Sequence, residues 1–195
     1  MTVITAAIKD GKVCISADTQ LNFGSLKVHA KYVNDRKKLF PVQDSVIGMT
    51  GWSATSQILE HLIETEPKLF NLKTRWQIFE TLLAIQDKLK NEYFIETNED
   101  SDQPVESNQL DGLIINSSGI FQFGSYREVH QYEQFWALGS GRRFALGAMH
   151  ALYESGATAQ QIAETGVHAA AEFDDGCNLP CHSIVLDMEK NTGNE

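Results

Sequence analysis

Helical spacing enters this chain twice, and each time as two consecutive segments set between short strand-like runs. In residues 53–66 the apolar side chains Ile58, Leu59, Leu62 and Ile63 share one face. In 75–93 the stripe is Trp76, Ile78, Phe79, Leu82, Leu83, Ile85 and Leu89. The second pair covers 142–154, with Phe144, Leu146, Met149 and Leu152 on its apolar side, and 158–173. That last segment opens on Thr158 as N-cap and closes at Asp174-Asp175-Gly176. Strand patterns occupy 2–9 and 12–18, joined at the hairpin signal Asp10-Gly11. Further strands are predicted near 26–33 and 37–40, at 45–51, 111–117 and 120–125, as a short pair within 127–138, and at 182–188. Helices that come in pairs do not fit a doubly wound sheet, where single strands and helices alternate. They fit two antiparallel sheets stacked face to face, each covered by a helix pair. On that plan Trp76, Phe79, Phe144 and Met149 fall on the outer layers, where partner helices could meet them.

A chain of 195 residues supports one sizeable core, so residues 1–195 are read as a single domain. The stretch 96–109 (ETNEDSDQPVESNQ) is polar and acidic and is expected to be a solvated loop; the tail EKNTGNE is expected to fray. A formal net charge of −10 argues against nucleic acid or an anionic membrane surface as partner. No apolar run reaches spanning length, and the first residues lack a signal-peptide pattern, so a cytoplasmic protein is expected. Cys14, Cys177 and Cys181 read as reduced thiols. Cys177 and Cys181 lie four apart beside His182, but no fourth ligand follows at zinc spacing, so neither a metal nor a cofactor is expected.

The motifs of several hydrolase and nucleotide-binding classes are missing: there is no Gly-x-Ser-x-Gly elbow, Walker loop or dinucleotide fingerprint. Thr2 is different. Methionine removal is expected when the second residue is small, and a terminal threonine carries a hydroxyl and a free amine together. The amine, with an ordinary pKa of about 7.7–8.0, can take the hydroxyl's proton near neutral pH. Thr2 alone is a weak signal, since many chains begin Met-Thr.

The opening TVITAAIKDGKVCISADTQ resembles that of proteasome β subunits and of HslV, the peptidase partner of a bacterial ATP-dependent unfoldase. The shared pattern is a threonine, a strand, a tight turn, a second strand and an Ala/Gly-Asp motif. KKLFPVQDSVIGMTG resembles the family stretch in which a lysine precedes Leu-x-Pro-x-x-Asp. WALGSGRRFALGAMHALYESGATAQQIAETGVHAA resembles the segment in which Gly-Ser-Gly opens a helix of small apolar residues. The likeness runs from Thr2 to about Met188.

The resemblance implies a four-layer αββα fold of the N-terminal nucleophile hydrolase type and threonine-type peptidase activity. It also implies stacked rings of six or seven identical subunits that act on unfolded polypeptide, with an ATP-dependent unfoldase as a further partner. Carried over residue by residue, it makes Thr2 the nucleophile, Asp18 and Lys38 its charged partners and Gly51 the oxyanion amide. Ser140 becomes the contact of the threonine amine, and Asp174 the aspartate after the last long helix. Lys37 and Asp175 are the alternatives if the register slips by one. Bland roles also stand: Lys38 as part of a solvated run with Arg36 and Lys37, Asp18 as a turn residue, Ser140 and Asp174 as helix ends. The chain departs from the family pattern in a longer interval between Asp18 and Lys38, in Trp52-Ser53 after Gly51, in Cys177 where a serine is usual, and in a longer 96–109 loop. A non-catalytic scaffold subunit and an amidase on small amides are the competing functions.

Overall fold

The computed structural model describes residues 1–34 and 37–189. In chain order its strands are β1 (Val3–Lys9), β2 (Lys12–Asp18), β3 (Leu21–Phe23), β4 (Leu26–Val28), β5 (Leu39–Val42) and β6 (Ser45–Thr50). Helices α1 (Ser53–Thr65) and α2 (Arg75–Asn91) follow. Then come β7 (Asp111–Asn116), β8 (Gly119–Phe123), β9 (Val129–Tyr132) and β10 (Phe135–Gly139). Helices α3 (Arg142–Tyr153) and α4 (Ala159–Phe173) precede the last strand, β11 (Cys181–Asp187). One antiparallel sheet has the order β10-β1-β2-β11 and the other β5-β6-β7-β8-β9, while β3 and β4 form a separate hairpin.

The turn between β1 and β2 follows from its residues. Asp10 and Gly11 both take positive φ, 50° and 72°, the left-handed pair that a tight type I′ hairpin needs. Because side chains alternate along a strand, β1 then feeds two layers at once. Ile4 and Ala6 face the other sheet, in a core with Val13, Ile15, Leu113, Ile115 and Ile120. Val3 and Ala7 face α3 and α4, beside Ala145, Met149, Ile162 and Val167. Thr5 on that face donates to the α4 carbonyl of Ala163 at 2.8 Å, so its hydroxyl is satisfied in the core. A third core, with Ile47, Leu62, Ile78, Ile85 and Leu89, joins the second sheet to α1 and α2. Each fully buried aliphatic side chain contributes about 1.5–3 kcal/mol. Three stacked apolar interfaces therefore hold four layers, helices–sheet–sheet–helices, as the paired-helix pattern predicts.

The register fixes where β1 begins. Val3 pairs with Gly139 on β10, and Ile4 pairs with Ala17 on β2. Thr2 thus enters the sheet between two neighbours. Gly139 has φ +94°, and a Cβ there would collide with the carbonyl oxygen of Thr2; only glycine lets β10 approach this closely.

Several local expectations are corrected. Residues 26–33 are not one strand: β4 ends at Val28 and a short 3₁₀ turn covers Ala30–Tyr32, while β3 falls outside every predicted strand. The two strands within 127–138 do not pair with each other, since β9 completes the five-stranded sheet and β10 the four-stranded one. Met149, on the outer helix α3, is fully buried against α4 at Gly166 and so is closed to partner helices; Phe79 is half-buried, while Trp76 and Phe144 are exposed. The 96–109 loop is not wholly solvated: Thr97, Ser107 and Asn108 are buried, and the Asn108 amide donates to the carbonyl of Ser125. Of the tail, Glu189 bonds back to Ser117; residues 190–195 lie outside the described residues, as does Arg36 of the basic run.

Candidate active site

Thr2 is buried, 4% exposed, at the start of β1. Its hydroxyl donates to Asp18 Oδ1 at 2.6 Å and accepts from Lys38 Nζ. Lys38 Nζ also lies 2.7 Å from the same Asp18 oxygen. Asp18 closes β2 and Lys38 precedes β5, so the contact bridges the two sheets. The Asp18 carboxylate is saturated. Oδ1 accepts from Thr2 Oγ1, Lys38 Nζ and the Val3 amide, and Oδ2 accepts from the amides of Gln20 and Asn178. Neighbouring Lys37 is exposed and faces Glu60 at 3.7 Å.

Burial pulls the Lys38 ammonium below the ordinary lysine value, and the Asp18 carboxylate opposes that pull. An ammonium hydrogen-bonded to a threonine oxygen in a largely buried site stabilises negative charge developing there.

The nitrogen of Thr2 meets a second set of groups. It donates to Ser140 Oγ at 3.3 Å, and Ser140 Oγ stands 3.0 Å from Asp174 Oδ1. Ser140 does not cap α3, whose N-cap Gly141 has no side-chain bond. Asp174 ends α4, and its carboxylate also accepts from the Gly176 amide at 2.8 Å. Asp175 contributes its carbonyl rather than its carboxylate, accepting from Gln20 Nε2 at 2.9 Å. The thiol of Cys177 lies among Asp18, Asp174 and Lys38; burial, reinforced by the two carboxylates, pushes it up to about 12. It is therefore protonated at neutral pH and a poor nucleophile. Cys181 lies elsewhere, 3.8 Å from His168, so the two spaced cysteines diverge.

A cleft of about 420 Å³ opens over this cluster, lined by Met1, Thr2, Gln20, Lys38, Met49, Thr50, Gly51 and Ser53 among others. Gly51 thus sits on the same cleft as Thr2, at the end of β6. All six residues marked in the sequence fall in one region. Gln20, Asn22, Gly176 and Asn178 join them without having been marked. Their only advance signal is adjacency to Asp18 and Asp174, because they act through amide groups that carry no charge.

A sequence model of the proteasome subunit family matches residues 1–186. The chain belongs to the proteasome subunit family. Among solved structures, this proteasome-family chain resembles Thiobacillus denitrificans BPH, with 34% identity, a TM-score of 0.90, and coverage of 97% of this chain and 100% of that one. The same protein in complex with epoxomicin superposes with a TM-score of 0.87 at 34% identity, covering 95% and 98% of the two chains. Eukaryotic HslV from Trypanosoma brucei shares the fold at 20% identity and a TM-score of 0.71, with coverage of 95% and 99%. The αββα layering is thus the architecture of this family. Among the described residues, no helix is long and apolar enough to cross a membrane.

Proposed function

We propose that this chain is a threonine-type peptidase subunit in which Thr2, freed of Met1, is the nucleophile. The carrying observation is the buried contact of Lys38 Nζ with Thr2 Oγ1, braced by Asp18. In the proposed reaction the Thr2 hydroxyl gives its proton to its own α-amine, directly or through water, as its oxygen bonds to the substrate carbonyl. The Gly51 amide meets the resulting oxyanion, while Lys38 holds the attacking oxygen by charge. The intermediate collapses to an acyl ester, and the departing amine takes the proton back. Water, deprotonated by the same α-amine, then cleaves the ester. Ser140 and Asp174 hold the amine in place.

One peptidase domain of this kind acts on unfolded polypeptide inside stacked rings of identical subunits, six or seven to a ring, in the cytoplasm. An ATP-dependent unfoldase feeds it. The likeness to BPH and the family membership support this assembly. Exposed Trp76 and Phe144 on the outer helices offer apolar surface to neighbours.

Three measurements test the proposal. Intact mass should show loss of Met1 and, after incubation with epoxomicin, a gain equal to one inhibitor per chain located at Thr2. Thr2→Ala should abolish both that gain and the cleavage of a fluorogenic peptide. Light scattering should give a ring-sized particle. Quantitative retention of Met1 in the host removes the catalytic claim and leaves a scaffold subunit; a fully active monomer removes the chamber and favours an amidase.

A further inference from the structure

Resting on the peptidase reading, we propose that Gln20 and Asn22 are positioning residues, whose side-chain amides hold the 174–176 turn so that Asp174 keeps Ser140 on the Thr2 nitrogen. Gln20 is 1% exposed, and its Nε2 donates both to Asn22 Oδ1 and to the Asp175 carbonyl, each at 2.9 Å. Asn22 passes the link on, its Nδ2 donating to the Gly176 carbonyl at 3.1 Å. Gly176 is therefore gripped from both sides, by Asn22 at its oxygen and by Asp174 at its nitrogen. The amide orientation of Gln20 is fixed by chemistry, since a flip would set its oxygen against two other oxygens.

Gln20 Oε1 accepts no hydrogen bond among the described residues. Methionine would fill similar space but could donate neither of the two bonds that Nε2 makes. The two donated bonds are what set Gln20 apart from an apolar residue of its size. Those bonds lead to the Ser140–Asp174 pair, and the Gln20 backbone amide is itself on Asp18 Oδ2. One residue thus joins the hydroxyl side of the site to the amine side. Leu21 and Phe23 of β3 line the cleft beside Gln20 and Asn22, so the clamp borders the space that substrate would occupy.

The test is a double-mutant cycle in the full, assembled protein, read with a fluorogenic peptide. Gln20→Met should lower kcat about ten- to a hundredfold, the scale of a small misplacement of a catalytic group, with KM changed less than twofold. In a Ser140→Ala background the same substitution should lower kcat less than twofold, because the groups it acts through are already uncoupled. A full loss that persists in the Ser140→Ala background, or no loss in either, overturns the proposal. If Gln20→Met does not assemble, Asn22→Leu is read in the same cycle. Wild type measured alongside separates the two claims. If it neither cleaves nor binds epoxomicin, the peptidase reading fails, and the clamp is judged from crystal structures of wild type and Gln20→Met. Loss of the Ser140–Asp174 contact in the variant supports the clamp, and its retention overturns it.

Discussion

Lys38 Nζ sits 2.7 Å from Asp18 Oδ1, with the lysine side chain 10% exposed and the aspartate fully buried. Lys38→Ala should therefore act twice. On the proposed mechanism activity should fall by about 10²–10³-fold or more, since a positive donor at the Thr2 oxygen is lost. Stability should fall too, but toward the low end of the roughly 3–5 kcal/mol expected when a buried pair loses one member, because four other donors remain on Asp18. Lys37→Ala removes only an exposed pair and should change neither. Turnover and denaturation midpoints of the two variants, compared side by side, check this.

The direction of the Lys38 shift sets two opposed pH trends. Its folded pKa lies below 10.5, the ordinary value that an unfolded chain would show. Between those two values the unfolded chain binds more protons, so the Lys38 contribution to stability rises with pH across that window. Below the folded pKa the charged lysine carries its full burial penalty. Activity should run the other way, with an alkaline limb that begins below 10.5 as the ammonium is lost. Denaturation midpoints of wild type minus Lys38→Met, followed from neutral to alkaline pH, should climb while wild-type kcat drops. A kcat that stays flat up to 10.5 contradicts a role for the lysine's charge.

Gly139→Ala should disable the site from the sheet side. The strained backbone at φ +94° costs roughly 1–3 kcal/mol for a residue with a Cβ, and the new methyl also collides with the Thr2 carbonyl. The expected result is a lower unfolding midpoint together with loss of the proposed peptide cleavage. Full activity in this variant would mean that Thr2 does not need its place against β10.

Cys177 should be silent. Its thiol is raised to about 12 by burial and by nearby carboxylates, so iodoacetamide at pH 7.5 should leave it unmodified in the native protein and modify it after unfolding. Peptide mapping by mass spectrometry distinguishes the two. Cys177→Ser should keep most of the activity.

Much of this organisation is legible in the chain. Asp10-Gly11 marks the turn that starts the first sheet, and the stripes around Leu62 and Ile85 mark two helices. Thr2, Asp18, Lys38, Gly51, Ser140 and Asp174 are found through a resemblance, and nothing in their spacing says that they meet. The misses have physical causes. Leu21–Phe23 and Leu26–Val28 are three residues each, too short for alternation to rise above noise. Met149 lies on an apolar helix face in any case, and only the approach of α4 at Gly166 decides that the face is sealed. The strands β9 and β10 are close in sequence but belong to different sheets, a choice made by long-range pairing. Gln20 and Asn22 work through neutral amides whose partners lie more than 150 positions away.

The entry of β1 between β2 and β10 bears on how such chains can be altered. A single residue inserted within β1 would turn Thr5 and Ile4 to the opposite faces, setting a hydroxyl among aliphatic side chains and displacing Thr2 from Asp18 and Lys38 together. A residue added at the exposed tip of 99–102 touches no strand. Changes in length should therefore accumulate in the connecting segments and spare the first strand. Circular permutants opened near Asp100 should keep their shape, and, on the proposed mechanism, peptide tags added ahead of Thr2 should block peptide cleavage until they are clipped off.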